Sequence, residues 1–139
     1  MDYRRLNEVS QKYACPLPRI DAYLDAMNGA RWFSTFDLRS GNHQVLIDEV
    51  IRDKTTFVTK EGTFRFRIIP FGLTGAQATF QILMDVVMSG LNVEVCWVYL
   101  DDIIVYSADL DTHLDRLSAV FEIQHAAGLK LKPSKCRLF

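Results

Sequence analysis

The stretch that most restricts what this chain can fold into is EVCWVYLDDIIVYS, residues 94–107, where two adjacent carboxylates, Asp101 and Asp102, interrupt a run of apolar, β-branched and aromatic residues. Its flanks, VCWVY and IIVYS, have the composition and length of buried strands. Successive side chains on a regular strand point to opposite faces, so one continuous strand cannot aim both carboxylates at a single ligand. A hairpin bend at Leu100-Asp101 removes that restriction and lifts both to the rim of a sheet. Tight hairpins favour Asn-Gly or Asp-Gly, and a turn set against its propensity marks strain kept for function. Like charges side by side, each costly to bury alone, also demand a positive partner. The dipeptide itself carries no weight, because 12 Asp in 139 residues give about one Asp-Asp pair by chance.

The remaining pattern is that of a single α+β domain. PLPRIDAYLDAMNGA predicts a helix from near Pro18 to Asn28-Gly29, since proline suits a first turn and Asn-Gly an end. RWFSTFDL predicts a strand ending at Asp37, and Lys54 to Ile69 a hairpin with Glu61-Gly62 at its turn and period-two alternation in TFRFRI. A helix follows from about Thr74 to Ser89, with Ala76, Phe80, Leu83, Met84 and Val87 on one face. After the acidic hairpin comes a second amphipathic helix, roughly Asp109 to Ala127, with Leu110, Leu114, Leu117, Val120 and Phe121 on its stripe and Gly128 at its end. LKLKPSKCRLF reads as an extended segment. The order strand, hairpin, helix, hairpin, helix, strand describes an antiparallel sheet with helices packed on one face.

Composition excludes several classes. Three cysteines, Cys15, Cys96 and Cys136, are odd in number and lack CxxC spacing, which argues against a disulfide framework or a zinc site and fits a reducing compartment. The longest uncharged run, Ile68 to Met84, holds a proline, two glycines and two glutamines, so no membrane span is expected. His43, His113 and His125 show no ligand spacing and are expected on the surface or on helix faces. A net charge of −1 gives no bulk attraction for nucleic acid, yet the charge is uneven. Arg52 to Arg67 holds five cations against two anions, Lys130 to Arg137 four against none, and Asp101 to Glu122 six anions against one cation. Basic flanks around an acidic centre suit a polyanion bridged by metal ions. A sheet that binds single-stranded RNA through stacked aromatics is disfavoured, because its aromatic motif on adjacent strands is missing.

The ordered set DYRRLN, PLPRID, FSTFDLRSGNHQ, KTTFVTKEGTFRFRIIPFGLT, ATFQ, VYLDDIIVYS and GLKLKPSKC resembles the reverse transcriptase domain of gypsy-type LTR retrotransposon pol polyproteins over the whole 139 residues. The resemblance implies the palm of a right-hand-shaped polymerase and an RNA-directed DNA polymerase extending a DNA primer on an RNA or DNA template from deoxynucleoside triphosphates. It implies that Asp37 and Asp101, with Asp102 alongside, hold two Mg²⁺ ions (Mn²⁺ as substitute), and that the Leu38 carbonyl adds a ligand. Three carboxylates from distant segments suit two hard cations about 3.5–4 Å apart. Phe71 and Gly72 would border the nucleotide pocket, Tyr99 and Leu100 would lie beside the primer terminus, and Lys135 would protonate the leaving pyrophosphate.

Two departures stand out against the family pattern. Asn42 replaces the tyrosine of DLxSGYHQ, whose ring excludes a ribose 2′-hydroxyl, and Gly75 and Gln77 replace Asn and Pro of LTNAPATF. The resemblance further implies that residues 1–139 hold the palm and part of the fingers, without the thumb and ribonuclease H that, with integrase, would be partners in the polyprotein. An intracellular, cytoplasmic location in a virus-like particle is expected. The alternative is a decayed or domesticated copy serving as a non-catalytic nucleic-acid-binding module.

Overall fold

The computed structural model describes residues 2–11, 20–91 and 94–139. In chain order the elements are helices α1 (Arg4–Val9) and α2 (Ile20–Ala26), strand β1 (Trp32–Asp37), the one-turn helix α3 (Glu49–Arg52), strands β2 (Phe57–Thr59) and β3 (Gly62–Phe64), helix α4 (Ala76–Val87), strands β4 (Cys96–Tyr99) and β5 (Asp102–Ser107), and helix α5 (Leu110–Ala126). Short 3-10 turns lie at Gly41–Gln44, Asp53–Thr55 and Pro133–Lys135. β5 is central in an antiparallel sheet of order β1-β5-β4, and β2 and β3 form a separate hairpin. The architecture is the expected α+β arrangement.

Alternation decides what the sheet buries. Phe36 of β1, Cys96 and Val98 of β4, and Ile103 and Val105 of β5 turn to one face, where Phe80, Met84 and Met88 from α4 and its end and Leu117 and Val120 from α5 close the main core, beside a smaller cluster of Ile47, Ile69 and Ala76. Each large apolar side chain so buried contributes about 1.5–3 kcal/mol. Trp97, between Cys96 and Val98, points the other way and stacks on Tyr23 of α2 with ring centroids 4.6 Å apart.

Helix α5 ends as its sequence predicts. The Asp109 side chain accepts the Thr112 N–H at 2.9 Å at one end. At the other, Gly128 takes φ +69, with its own N–H on the His125 carbonyl and that of Leu129 on Gln124, a Schellman closure. Its inner face differs from the expected stripe. Leu110, Leu114 and Phe121 are 39–46% exposed, and the buried positions are His113, Leu117, Val120 and Gln124. A pure hydrophobicity count misses this because two of the four inward residues are polar.

His113, expected on the surface or on a helix face, lies on the inner face of α5 and is fully buried. Its Nε2 lies 2.8 Å from Ser34 Oγ and its Nδ1 3.1 Å from Ser107 Oγ. Ser107 Oγ donates to the Asp109 carbonyl, so it must accept from Nδ1–H; Nε2 then accepts from Ser34 Oγ–H, while Ser34 accepts the Phe139 N–H. The neutral Nδ1–H tautomer thus links α5 to β1 and β5.

Other boundaries shift for physical reasons. The β2–β3 turn is Lys60-Glu61, one residue earlier than expected, because Thr59 pairs with Gly62. Only two residues of the alternating TFRFRI run, Thr63 and Phe64, lie in β3, and both are exposed. α4 begins at Ala76 with Gly75 as its N-cap, two residues past the expected start near Thr74, and the Thr74 N–H before it donates to Asn7 Oδ1. Asn7 lies on α1, a helix with no apolar periodicity to announce it. The predicted start of α2 near Pro18 lies outside the described residues, as does Cys15. No helix among the described residues is long and apolar enough to cross a membrane.

A carboxylate-rich candidate active site

The hairpin between β4 and β5 turns at Leu100-Asp101, as predicted. Tyr99 pairs with Asp102 across it, and Asp102 pairs in turn with Asp37 of β1. Paired residues on adjacent strands share a face, so Asp37, Asp102 and Tyr99 form one row at the end of the sheet. Asp101 stands beyond the row, fixed by its carbonyl, which accepts the Leu38 N–H at 2.8 Å. The turn therefore does what an unbroken strand could not: it brings Asp101 and Asp102 to the same rim.

The turn is strained, as its sequence suggested. Leu100 has φ +54, in a region that costs an L-residue roughly 1–2 kcal/mol. Gln81 of α4, 1% exposed, holds it there: its Oε1 accepts the Leu100 N–H at 2.7 Å and its Nε2 donates to Asp85 Oδ1 at 2.9 Å. Gly41 closes the other side. A Cβ at this position would lie 2.8 Å from the Phe80 ring and 3.2 Å from Asp101 Cβ, so only glycine admits both neighbours. Sequence reading passed over both Gln81 and Gly41; the signal for Gln81 was a lone glutamine at an inward position of an otherwise apolar helix face.

The charges of the rim are felt at Asp102. Burial first, then the charges of Asp101 and Asp37, raise the Asp102 carboxyl above its ordinary value, against a smaller lowering by Lys135. Lys135 supplies the positive partner that the sequence demanded. Its Nζ donates to Asp37 Oδ2 at 2.8 Å, and its own titration is pushed upward by Asp37 and, more weakly, by Asp101 and Asp102. Gln44 fixes the segment that carries this lysine: its amide donates to the Arg39 and Lys130 carbonyls and accepts the Lys130 N–H.

No three His, Cys, Asp or Glu side chains among the described residues are grouped as a ready metal ligand set. The donor chemistry nevertheless fits a hard divalent cation. Three carboxylates share one rim, an ammonium already stands on one of them, and the buried Leu38 carbonyl accepts no hydrogen bond among the described residues.

Beside this rim a cavity of about 170 Å³ is lined by Ser40, Gly41, Asn42, Phe71, Gln77, Phe80, Leu100 and Asp101. It brings Asn42 and Phe71 together with Asp101, and adds Gln77 from the first turn of α4. Gly72 does not line it; it takes φ +93 in the adjoining loop, where its carbonyl accepts from Asn7 Nδ2. His43 packs on Phe71 with ring centroids 4.3 Å apart, at the cavity rim. A larger cavity, about 360 Å³ and mostly apolar, lies between α1 and the start of α4 and touches none of the carboxylates.

Known proteins match this chain in sequence and in fold. The family model described as reverse transcriptase (RNA-dependent DNA polymerase) matches residues 1–139. A retrovirus-related Pol polyprotein from transposon 297 of Drosophila melanogaster is 41% identical over 136 residues, 98% of this chain and 13% of that protein. The corresponding polyprotein from transposon gypsy is 34% identical over 139 residues. An RNA-directed DNA polymerase homolog of Oenothera berteroana is 45% identical over 125 residues, 88% of each chain. In fold, the chain is similar to foamy viral protease-reverse transcriptase in complex with RNA/DNA hybrid, with a TM-score of 0.86, 23% identity, and coverage of 99% of this chain and 18% of that one. The row of carboxylates at a strained hairpin and these matches along its whole length agree: the chain belongs to the reverse transcriptase family, with the gypsy-type retrotransposon domains among its relatives.

Proposed function

We propose that this chain is the palm, with part of the fingers, of an RNA-directed DNA polymerase that adds deoxynucleotides to a DNA primer on an RNA or DNA template. The supporting observation is the register that pairs Asp37 with Asp102 while the Leu38 N–H fixes Asp101 beside them. That arrangement joins carboxylates from two segments more than sixty residues apart on one rim.

Asp37, Asp101 and Asp102, with the Leu38 carbonyl, would hold two Mg²⁺ ions, with Mn²⁺ as substitute. When bound, such ions lower the pKa of an attacking hydroxyl and neutralise triphosphate charge. The protein's own part is positioning. Gln81 and Gly41 fix the turn that aims Asp101, Asn42 and Phe71 shape the space for the nucleotide sugar, and the Gly72 loop borders it. Tyr99, 40% exposed in the same row, offers its ring to the primer end beside Leu100. Lys135, paired with Asp37, would give a proton to the departing pyrophosphate. The thumb, ribonuclease H and integrase of the polyprotein are the proposed partners in this work, in the cytoplasmic particle of the element.

The test is primer extension by a Pol polyprotein carrying this segment, with and without Asp101→Asn. We expect the variant to lose extension by at least about a hundredfold while melting no lower than the parent. Extension near the parental rate would remove the assignment.

A further inference from the structure

Residues 130–137 read KLKPSKCR, four cations without an anion. Their backbone zips along β1 and the residue after it: Leu131 bridges Leu38, the Lys132 N–H donates to the Asp37 carbonyl, and Arg137 exchanges both hydrogen bonds with Thr35. Between these anchors Pro133 starts a 3-10 turn that the Lys135 N–H closes on the Lys132 carbonyl at 2.9 Å. The result is a fixed base with a solvent-exposed head. The Lys135 side chain is 56% exposed, whereas that of Asp37, which it meets at 2.8 Å, is 14% exposed.

We propose that Lys135 is an exchangeable internal cation, which neutralises Asp37 in the substrate-free protein and yields that carboxylate to an incoming divalent ion. The proposal rests on the reading of Asp37, Asp101 and Asp102 as a metal site. It is distinct from proton donation to pyrophosphate, because it requires competition between ammonium and metal with no nucleotide present. Three carboxylates held at one rim repel one another, and one ammonium offsets only part of that charge. A divalent ion carries twice the charge and takes oxygen ligands from several carboxylates at once, while Lys135 is a point charge on a flexible four-carbon stem with solvent beside it. The backbone anchors stay in place during the exchange and only the side chain swings, which keeps the ammonium within reach of the phosphates that arrive with the metal.

The experiment measures Mn²⁺ binding to the 139-residue chain by the electron paramagnetic resonance of the free ion, without nucleotide, for the parent, Lys135→Met, Lys135→Arg and Asp37→Asn. Lys135→Met is expected to bind Mn²⁺ roughly two- to tenfold more tightly than the parent. Lys135→Arg, whose guanidinium grips a carboxylate with two donors, is expected to bind it more weakly; it decides the matter should the methionine variant fail to fold. In the parent, the Lys135 side-chain resonances should move toward solvent-exposed values as Mg²⁺ saturates, and Asp37→Asn should place them there without metal. Unchanged Mn²⁺ affinity in both lysine variants, or Lys135 resonances indifferent to saturating Mg²⁺, would overturn the exchange. Asp37→Asn binding Mn²⁺ as tightly as the parent, or no binding by any of the four, would overturn the metal site itself and the exchange with it. Loss of binding in Asp37→Asn alone, with no gain in Lys135→Met and no loss in Lys135→Arg, would retain the site and reject the exchange.

Discussion

Gln81 Oε1, buried inside α4, accepts the backbone N–H of Leu100 at 2.7 Å, and Leu100 is the residue held at positive φ beside Asp101. A helix side chain thus maintains a conformation that leucine disfavours. Gln81→Met removes the acceptor and leaves the N–H without its partner, at a cost of about 1–3 kcal/mol. Leu100→Gly in the same background should restore part of that loss, since glycine enters positive φ without penalty. Urea denaturation of the two single variants and the double variant measures the coupling. Strictly additive effects would show that Gln81 does not hold the turn.

Gly41 packs against the next residue of the turn, Asp101, and against the Phe80 ring. Gly41→Ala forces a methyl group against the Phe80 ring at 2.8 Å and Asp101 Cβ at 3.2 Å, so the expected destabilisation is about 1–3 kcal/mol. The Asp101 amide resonance should shift as well. A melting temperature equal to the parent's would mean that the ring moves aside freely.

The His113 network sets a pH dependence with a definite sign. Burial, then the Arg116 charge, lowers the His113 pKa below its ordinary 6.5. Both ring nitrogens are engaged and Nε2 is an acceptor, so a proton there would face the Ser34 hydroxyl proton. The unfolded chain therefore binds a proton that the folded one refuses. This contribution is complete above pH 6.5 and lost as pH falls from 6.5 toward the lowered value, with a limiting slope of about 1.4 kcal/mol per pH unit. Stability measured from pH 7.5 to 5.5 should fall toward acid in the parent, no more steeply than this limit. His113→Gln should be less stable throughout and flatter across that window, whereas equal slopes would exclude His113 as the source.

Asp102 has the opposite sign. Its raised carboxyl pKa means that folding disfavours its ionised form, so it opposes stability near neutral pH and ceases to do so as pH falls through the raised value. Asp102→Asn is expected to melt at or above the parent temperature in metal-free buffer, and Mg²⁺ should stabilise the parent more than the variant. A clear drop in melting temperature without metal would contradict the repulsion argument.

Asn42 shares its cavity with Phe71, Gln77 and Asp101. Its amide is smaller than a tyrosine ring and can hydrogen-bond a 2′-hydroxyl, an interaction of about 0.5–1.5 kcal/mol. A polymerase carrying this segment is expected to discriminate weakly between deoxy- and ribonucleotides. Asn42→Tyr should sharpen the choice roughly tenfold, mainly by lowering ribonucleotide kcat/KM. Strong deoxynucleotide preference that persists unchanged on reversion would place the gate elsewhere.

The sequence alone determined the local elements whose signals are local. Alternation and β-branching marked β1, β4 and β5, Asp109 and Gly128 bounded α5, and the mismatch of Leu100-Asp101 with hairpin propensity marked the strained turn. It also announced Asp37, Asp101 and Asp102 as a group through family spacing, and demanded a cation for them. Tertiary structure alone decided which cation. Lys135 reaches Asp37 across 98 positions of sequence, through backbone pairing that no periodicity encodes. The same holds for Gln81, whose value lies in one backbone N–H on another element, and for His113, a titratable side chain made a core residue by two serines on β1 and β5. Composition and period report which residues prefer burial. They do not report which buried polar atom finds which partner, because that depends on how separate elements pack, and there a shift of one ångström makes or breaks the bond.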